Sequence, residues 1–391
     1  MLTDTLYAIL LFACATNLAS AAYVLTAIWR VKGFRLRRRA GGGFRPPVTI
    51  LKPVCGLDAD LYANLRSFCV QDYPEQQIVF GVRDPSDPAI PVIRRLIEEF
   101  PLVDISLVID DTVTGPNLKV SNLGNIYRAA KHAYLVIADS DMRVDPNYVS
   151  SVIAPLADPQ VGVVTCLYSG TPAGGLPSLL ASMFINEWFL PSVLVSAGLC
   201  EVRFALGGTV VVRRDLLEQI GGFGALSHYL ADDNILGRLA SNHGFKVAIS
   251  GYVVENIVHE QSLWSLFRHE LRWARTIRTL EPWGHAFSFL MYGVPLALFG
   301  LATADVTVDS PFFEATLLSV AILLRIWMHF TVRRKLGLPN GLRSVWLVPV
   351  RDILCFAVWG ASFLSRKIDW KGATFMVGPG GAMNVTDGRG A

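Results

Sequence analysis

Charged residues are scarce in this chain. Only 17% of the 391 residues are charged and 52% are hydrophobic, whereas soluble domains carry about 25% charged residues. This deficit excludes a wholly soluble protein and predicts that part of the chain lies in lipid. The net charge of +3 is too small to indicate a nucleic-acid partner, and the basic residues cluster beside apolar segments instead.

Paired cysteines are also lacking. The six cysteines show no C-x-x-C pair and no clustering with histidine. This pattern excludes a disulfide framework and a zinc site, and it indicates reduced thiols in a cytosolic or membrane setting.

Long hydrophobic runs are present instead. The run 6–29 is long enough to cross ~30 Å of hydrocarbon. A cleavable signal peptide is the alternative, but such peptides carry charge before a shorter apolar core. Here the charge follows the run, at Arg30, Lys32, Arg35, Arg37, Arg38 and Arg39. The positive-inside rule then places the N-terminus outside and the chain from residue 30 onward in the cytoplasm, which predicts a protein of the cell (inner) membrane.

The C-terminal third predicts further membrane segments. Spans are expected near 286–304 and 312–330, forming a hairpin that makes the protein multi-pass. The run 345–364 contains Arg351-Asp352, and both a full crossing and a re-entrant or interfacial segment fit it. The hairpin prediction also uses the acidic residues between its two arms, Asp305 and Asp309.

The central region has a different pattern, in which β-rich runs alternate with helical ones. Such alternation predicts an α/β domain with a mostly parallel sheet and crossover helices. Ligands of such sheets bind beyond the carboxyl ends of the strands. The predicted strands are 48–54, 78–82, 105–109 and 134–138.

The apolar run 176–195 interrupts this domain. A crossing there would put Asp233 and Arg272 on the opposite side of the membrane from Asp139. The run also carries Glu187 near its middle, and a carboxylate at the bilayer centre is costly. We therefore expect a helix or loop lying on the membrane surface, with a buried core helix as the alternative.

The first chemical signature is Asp139-Ser140-Asp141, directly after the fourth predicted strand. Residues two apart on an extended chain point the same way, so both carboxylates can reach one rim of the sheet. Hard cations such as Mg²⁺ or Mn²⁺ favour oxygen ligands from one or two carboxylates plus substrate phosphates. Aspartate is also common in turns, but this context favours a metal site that holds a pyrophosphate.

Two more signatures follow along the chain. Asp232-Asp233 opens a helical run, where the macrodipole alone favours acidic residues; a neighbouring pair of carboxylates can also raise one pKa, as a general base requires. Arg272-Trp273 fits an interfacial pair or, preferably, an arginine that neutralises a departing diphosphate. Lys119 is a candidate nucleotide contact, with a solvated lysine as the alternative. Together these are the parts of a sugar transfer from a nucleotide diphosphate.

A series of spaced motifs lies between residues 48 and 280. The motifs are Lys52-Pro53 with Gly56, the stretch 64–74, Asp84 with Asp87-Pro88-Ala89, Asn117-x-Lys119, Asp139-Ser140, Asp232-Asp233 and Arg272-Trp273. Together they resemble the ceramide glucosyltransferases, which are inverting enzymes of the GT-A fold. In the same region, 184–194 and 269–278 are similar to the bacterial hopanoid-biosynthesis branch, which resembles ceramide glucosyltransferase and is thought to add N-acetylglucosamine to bacteriohopanetetrol.

The resemblance implies a role for each matching residue. It implies that Asp233 is the base, with Asp232 beside it, and that Arg272-Trp273 belongs to the catalytic set. His269 stands where the family has arginine or glutamine, a departure from the pattern at a catalytic position. The resemblance also implies that Asp84 contacts the nucleotide. With the reading of the D-x-D motif above, we predict a divalent metal on Asp139 and Asp141, and contacts to a UDP-sugar from Pro53, Asp84, Lys119 and Asp139.

The predicted function is transfer of one hexose, N-acetylglucosamine or glucose, from a UDP-sugar to a hydroxyl of a membrane lipid. Bacteriohopanetetrol is the first candidate acceptor and ceramide the second. A processive polysaccharide synthase would need more spans, and a scaffold or transporter would need apolar helices through the middle of the chain.

The predicted domains are a 1–30 anchor, a 31–47 basic and Gly/Pro linker, a 48–280 catalytic domain, a 281–370 membrane region and a 371–391 tail.

Overall fold

The computed structural model describes residues 2–36, 43–307, 311–370 and 373–385. Of the residues used to orient the chain, Arg37, Arg38, Arg39 and Asp309 lie outside the described residues, as do parts of the predicted linker and tail. The chain forms two compact units, each built from separate sequence segments. The sheet unit comprises Arg35–Leu179, Glu201–Glu260 and Lys367–Ala391. The helical unit comprises Met1–Phe34, Leu180–Cys200 and Gln261–Arg366.

The sheet unit is built around eight strands in the order β3-β2-β1-β4-β7-β6-β8-β5. The four strands predicted from the sequence are β1 to β4, which confirms the α/β class. The strands are β1 Val48–Pro53, β2 Gln76–Val82, β3 Asp104–Ile109, β4 Tyr134–Ile137, β5 Met142–Arg143, β6 Val161–Pro172, β7 Val210–Arg213 and β8 Lys246–Val258.

The first half of this sheet is parallel. β1 pairs in parallel with β2 and β4, and β2 pairs in parallel with β3. All six residues of β1 are buried, because helices cover both faces of a parallel sheet. The carboxyl ends of β1, β2 and β4 therefore share one edge, as predicted.

The second half is mixed, a feature that alternation alone did not predict. β7 lies antiparallel between β4 and β6, whereas β6 and β8 run parallel over most of their length. Four of the seven pairings are thus parallel. The helices assigned to this unit are α2 Leu61–Cys69, α3 Ala89–Glu99, α4 Leu118–Tyr127, α5 Tyr148–Ile153, α8 Arg214–Gln219, α9 Gly222–Leu226 and α10 Asp232–Asn242.

A second, smaller sheet lies at the C-terminal end of the described chain. It has three antiparallel strands and is called the C-terminal sheet below. Two of these strands lie in the predicted tail, for which the sequence predicted no regular structure, and the third forms the end of the predicted membrane region 281–370. The strands are β9 Lys367–Trp370, β10 Ala373–Val377 and β11 Met383–Val385, in the order β11-β10-β9.

The helical unit carries the apolar helices. Three helices are long and apolar enough to cross a membrane, namely Asp4–Gly33, Leu176–Leu199 and Ala315–Leu336, and the pair Pro282–Met291 and Gly293–Ala304 passes the same test as a bent span. The elements are α1 Leu2–Gly33, α6 Leu176–Phe184, α7 Leu190–Leu199, α11 Leu263–Leu280, α12 Pro282–Phe287, α13 Gly293–Thr307, α14 Pro311–Leu336 and α15 Leu347–Ser362.

Two predicted spans match these helices, with one change. The run 312–330 lies within α14, but 286–304 is broken, since its two helices meet at 69°. α15 lies in the run 345–364, for which a full crossing and a re-entrant or interfacial segment were both expected. It has 16 residues, fewer than the ~20 that cross a bilayer.

The run 176–195 is a helix, but the prediction that it lies on a surface is wrong. Its apolar window is 78% buried within the protein. A single π-helical turn, Ile185–Phe189, joins α6 to α7 and carries Glu187. Oε1 of Glu187 lies 2.6 Å from Nδ1 of His329 on α14, and both side chains are buried. The carboxylate is tolerated because it has a partner that is distant in sequence.

The two charges within α15 are likewise paired. Arg351 is fully buried and forms an ion pair with Glu270 of α11. Asp352 accepts hydrogen bonds from Nε1 of Trp188 and from the backbone N–H of Val294, both at 2.8 Å. These contacts tie α15 to three other parts of the helical unit.

Replacing Arg351 with methionine should destabilise the helical unit. The change removes the buried cation that pairs with Glu270, and breaking a buried pair on one side costs ~3–5 kcal/mol. We expect a clear fall in melting temperature in detergent. Arg343→Met is the control, because Arg343 is exposed and surface changes usually stay within ~0.5 kcal/mol. Equal melting temperatures for the two variants would show that the ion pair contributes nothing to stability.

Candidate active site

The site forms where β1 and β4 end. Lys52, the penultimate residue of β1, is fully buried, and its Nζ donates to the backbone carbonyl of Asp139 at 2.6 Å. The same Nζ lies 3.7 Å from the centre of the Phe68 ring. Burial lowers the pKa of Lys52 to about 7, against the pull of the carboxylates of Asp139 and Asp141. Lys52 thus fixes the backbone at the start of the D-x-D turn.

Lys119 joins two of the predicted site residues. Its Nζ lies 2.6 Å from Oδ1 of Asp139 and 3.9 Å from Oδ2 of Asp232. Burial opposes its charge, but the carboxylates of Asp139 and Asp232 outweigh burial and raise its pKa. α4 presents this lysine because Asn117 caps the helix, accepting from the N–H of Val120 at 3.1 Å.

Asp141 has one carboxylate oxygen that accepts no hydrogen bond from the described residues. Its Oδ2 accepts from Nδ2 of Asn256 at 2.8 Å, while its buried Oδ1 has no hydrogen-bond partner among the described residues. Burial, followed by the charges of Asp139 and Asp58, raises the pKa of Asp141 to about 7. Between the two aspartates, Oγ of Ser140 donates to Oδ2 of Asp58 at 2.5 Å. The turn is therefore fixed by protein contacts that leave one carboxylate oxygen of Asp141 available.

Asp233 and Asp139 of the D-x-D turn both lie close to Gly207. α10 begins at Asp232, after a non-helical Ala231, and Oδ1 of Asp233 accepts from the N–H of Asn234 at 2.8 Å. A Cβ built on Gly207 would lie 3.2 Å from Oδ2 of Asp233 and 3.6 Å from Oδ2 of Asp139. The absent side chain thus leaves a space that both carboxylates border.

The paired aspartates differ in their surroundings. Burial raises the pKa of Asp233 to about 7, with the charge of Asp232 as the second cause. Burial also raises the pKa of Asp232, and the charge of Lys119 opposes the rise at both aspartates. Only Asp232 lies near Nδ2 of Asn117, which is 3.3 Å from its Oδ1, and near Nζ of Lys119, which is 3.9 Å from its Oδ2. Asp232 is therefore held by cationic and polar partners, while Asp233 has the acidity suited to a proton acceptor near neutral pH.

The predicted nucleotide contacts lie at the ends of neighbouring strands. Pro53 is the last residue of β1, in register with Gly81 of β2. Asp84 follows β2 and is exposed; its Oδ1 accepts from the N–H of Ser86 at 2.8 Å and from its Oγ at 2.6 Å. These hydrogen bonds lower the pKa of Asp84. Its contacts in the protein are therefore those of a turn former.

His269, Arg272 and Trp273 lie on α11, in the helical unit. The indole of Trp273 packs against three rings, with centroid distances of 4.7 Å to His269, 6.1 Å to Phe184 and 6.4 Å to Phe189. His269 therefore contributes an aromatic contact to Trp273 at the position where the family has arginine or glutamine.

Some residues that shape the site carry no signature in the sequence, and two others are marked there only as members of motifs. Asp58 accepts from Ser140 of the D-x-D turn, and Asn256 donates to Asp141. The motifs include Lys52 and Asn117 but do not predict that Lys52 holds the backbone of Asp139 or that Asn117 contacts Asp232. Gly207 had a usable signal, because it belongs to a Gly-Gly pair just before a strand, where close backbone approach is common. The others act through partners far away in the sequence.

A comparison with known protein families identifies the family of this chain. Residues 11–383 match the description "Glycosyl transferase family 21". The chain belongs to this family. The match covers the candidate site, most of the apolar helices and the start of β11.

The relatives of this family 21 protein include ceramide glucosyltransferases. Ceramide glucosyltransferase 3 of Caenorhabditis elegans is 26% identical over 59% of this chain and 50% of its own length. The enzyme of Candida albicans is 35% identical over 28% of this chain and 22% of its own length. The matched region thus spans about half the length, or less, of these curated relatives.

A solved structure shows the same fold. A mannosyltransferase from Pyrobaculum calidifontis, determined in complex with GDP-Man and Mn²⁺, is 20% identical with a TM-score of 0.59, covering 91% of this chain and 99% of its own. At that identity the likeness concerns the fold alone. It confirms the GT-A expectation for the family 21 chain.

Proposed function

We propose that this chain is a membrane-bound inverting glycosyltransferase that moves one hexose from a UDP-sugar to a hydroxyl of a membrane lipid. The observation that carries the proposal is the space at Gly207, bordered by Asp139 of the D-x-D turn and by Asp233. Asp139 would lie on the side of the sugar donor, and Asp233 is suited to accept a proton from the acceptor. Family membership and the apolar helices support a glycosyltransferase that acts at a membrane.

The carboxylates of the site fit a divalent metal that is coordinated partly by the protein and partly by the substrate. Across the described ranges, no three His, Cys, Asp or Glu side chains group as metal ligands. Two carboxylates are present, however, and Mg²⁺ is commonly held by one or two carboxylates plus substrate phosphates. Asp139 and the buried Oδ1 of Asp141 would hold Mg²⁺ or Mn²⁺, which would neutralise charge on the leaving diphosphate.

In the proposed reaction Asp233 takes the proton from the lipid hydroxyl. The oxygen of that hydroxyl attacks the anomeric carbon, and the bond from that carbon to the diphosphate oxygen breaks on the opposite face. UDP leaves, and the sugar is joined to the lipid with inverted configuration. Lys119, beside Asp139, Pro53 and Asp84 are the proposed donor contacts. Catalytic roles for Arg272, Trp273 and His269 rest on the resemblance.

The acceptor is proposed as bacteriohopanetetrol, with N-acetylglucosamine as the sugar. The similarity of 184–194 and 269–278 to the hopanoid branch supports this choice. Ceramide, with UDP-glucose, is the second candidate because the curated relatives are ceramide glucosyltransferases. A scaffold role is disfavoured, since the middle of the chain forms an eight-stranded sheet.

Release of UDP tests the proposal directly. Purified protein should release UDP from UDP-N-acetylglucosamine or UDP-glucose only when a lipid acceptor is added. Mass spectrometry of the product should show one added N-acetylhexosamine on bacteriohopanetetrol; addition of one hexose to ceramide would select the second candidate. A ladder of longer products would indicate a processive synthase, and no sugar transfer to either lipid would reject both acceptors.

The basic residues at 30–39 predict a cytoplasmic catalytic region. A reporter fused after Arg39 should score as cytoplasmic, because positive charge flanking a first span is retained inside. The matched control is the same reporter placed before the first span, which should score on the other side. A periplasmic or luminal signal after Arg39 would reverse the proposed placement of the sheet unit.

A further inference from the structure

The segment 228–230, just before the two aspartates of α10, pairs with the C-terminal sheet. Tyr229 forms an antiparallel bridge with Ala382. The N–H of Met383 donates to the carbonyl of His228 at 2.8 Å, and the N–H of Leu230 donates to the carbonyl of Gly381 at 3.3 Å. The segment thus extends the edge of the C-terminal sheet.

Side chains reinforce this backbone pairing. Leu230 is 8% exposed and packs into a small apolar cluster whose other buried members come from the C-terminal sheet. Phe375, on the middle strand, is the largest of these buried members. The buried partners of Leu230 are Ile368, Phe375, Val377 and Met383, with Trp370 packed against them.

Asn117 contacts the segment from α4. Its Nδ2 donates to the carbonyl of Tyr229 at 2.8 Å and lies 3.3 Å from Oδ1 of Asp232. Its backbone N–H donates to the carbonyl of Ser227 at 3.0 Å, and the residue is fully buried. The segment is therefore held by the start of α4 as well as by β11.

The position of Asp233 depends on this segment. Ala231 is the single residue between Leu230 and α10, whose first two residues are Asp232 and Asp233. A shift of the segment would carry Asp233 away from the space at Gly207. A misplacement of about 1 Å at a reacting group can cost on the order of 10²-fold in rate.

We propose that the C-terminal sheet positions the general base, with Leu230 and Phe375 as positioning residues. The inference rests on the proposed role of Asp233 as base. It gives a catalytic purpose to a part of the chain that contains none of the signature motifs.

Phe375→Ala tests the proposal, because it weakens the apolar cluster and removes no backbone hydrogen bond. We expect kcat to fall about 10- to 100-fold, with the KM for the UDP-sugar within about threefold of the unchanged protein. Phe375→Leu, which keeps most of the buried volume, should retain most of the activity. Leu96→Ala is the control: Leu96 is buried in the sheet unit, as Phe375 is, but in a different cluster.

Each variant is assayed at a temperature where circular dichroism shows it folded. Folded Phe375→Ala with normal kcat would overturn the proposal, and so would an equal fall in kcat for Leu96→Ala. Combination with Asp233→Asn gives a further test. If the sheet acts through Asp233, Phe375→Ala should cost little more once the base is gone, since residues that act as a unit are not additive.

The two proposals fail in different ways. Normal turnover of Asp233→Asn would refute the base assignment itself. A large effect of Asp233→Asn, with a fully additive loss from Phe375→Ala, would refute only the positioning role.

Discussion

Turnover should be lost when Asp139 is replaced with alanine or when excess chelator is added. Asp139 belongs to the D-x-D turn and pairs with Lys119 at 2.6 Å, so the change removes both a proposed metal ligand and the partner of a proposed donor contact. A metal supplies several kcal/mol of charge stabilisation, and each ~1.4 kcal/mol is a factor of ten in rate. We expect a fall of more than about 10³-fold.

The measurement is UDP release with and without added Mg²⁺ or Mn²⁺. The ions should restore the chelated protein but not Asp139→Ala, and metal-dependent binding of the UDP-sugar should be lost in the variant. Asp104→Ala is the control, because Asp104 pairs with Lys131 on the surface at the amino end of β3. Full activity in excess chelator would eliminate the metal from the mechanism.

Asp233→Asn should lower kcat by about 10²–10⁴-fold, the usual cost of losing a general base. The amide keeps the shape of the side chain but cannot take the proton, so affinity for the UDP-sugar should change little. Asp232→Asn should be milder, because Asp232 pairs with Lys119 and Asn117. If Asp232→Asn abolished turnover and Asp233→Asn did not, the roles within the pair would be reversed.

The pH dependence gives an independent check on Asp233. A base acts only when deprotonated, and burial raises the pKa of Asp233 to about 7. The rate constant kcat should therefore fall as the pH drops through about 7. Asp232→Asn removes the second cause of that shift, so the acidic limb should move to lower pH. An unchanged limb in Asp232→Asn would show that the titrating group lies elsewhere.

The sequence predicted the half of the fold that local patterns describe. Runs of apolar residues marked β1 to β4, and the D-x-D motif lies at the end of β4 because such turns follow buried strands. Alternation could not show that β7 runs antiparallel between β4 and β6. That choice depends on pairing between segments far apart in the chain, which leaves no local signature.

Charged residues in apolar surroundings were the least predictable. The sequence marks Lys52 only as part of a motif. Its complete burial was not predicted, because lysine is rarely fully buried without a partner. Its partner is the backbone of Asp139, which sequence patterns cannot reveal. The helix at 176–199 was misplaced for a similar reason, because the burial of Glu187 depends on His329. In both cases the contact that decides burial is distant in sequence.

The sheet unit is divided among three segments, the last of which starts at Lys367. Translation proceeds from the N-terminus at about 5–20 residues per second, so the ribosome has already made every apolar helix when β11 emerges. Until then the segment 228–230 lacks the strand on which it pairs. The order of synthesis therefore delays the pairing of the segment that precedes α10 until the apolar helices have been made, and a nascent chain released before Met383 would lack the backbone partner of His228.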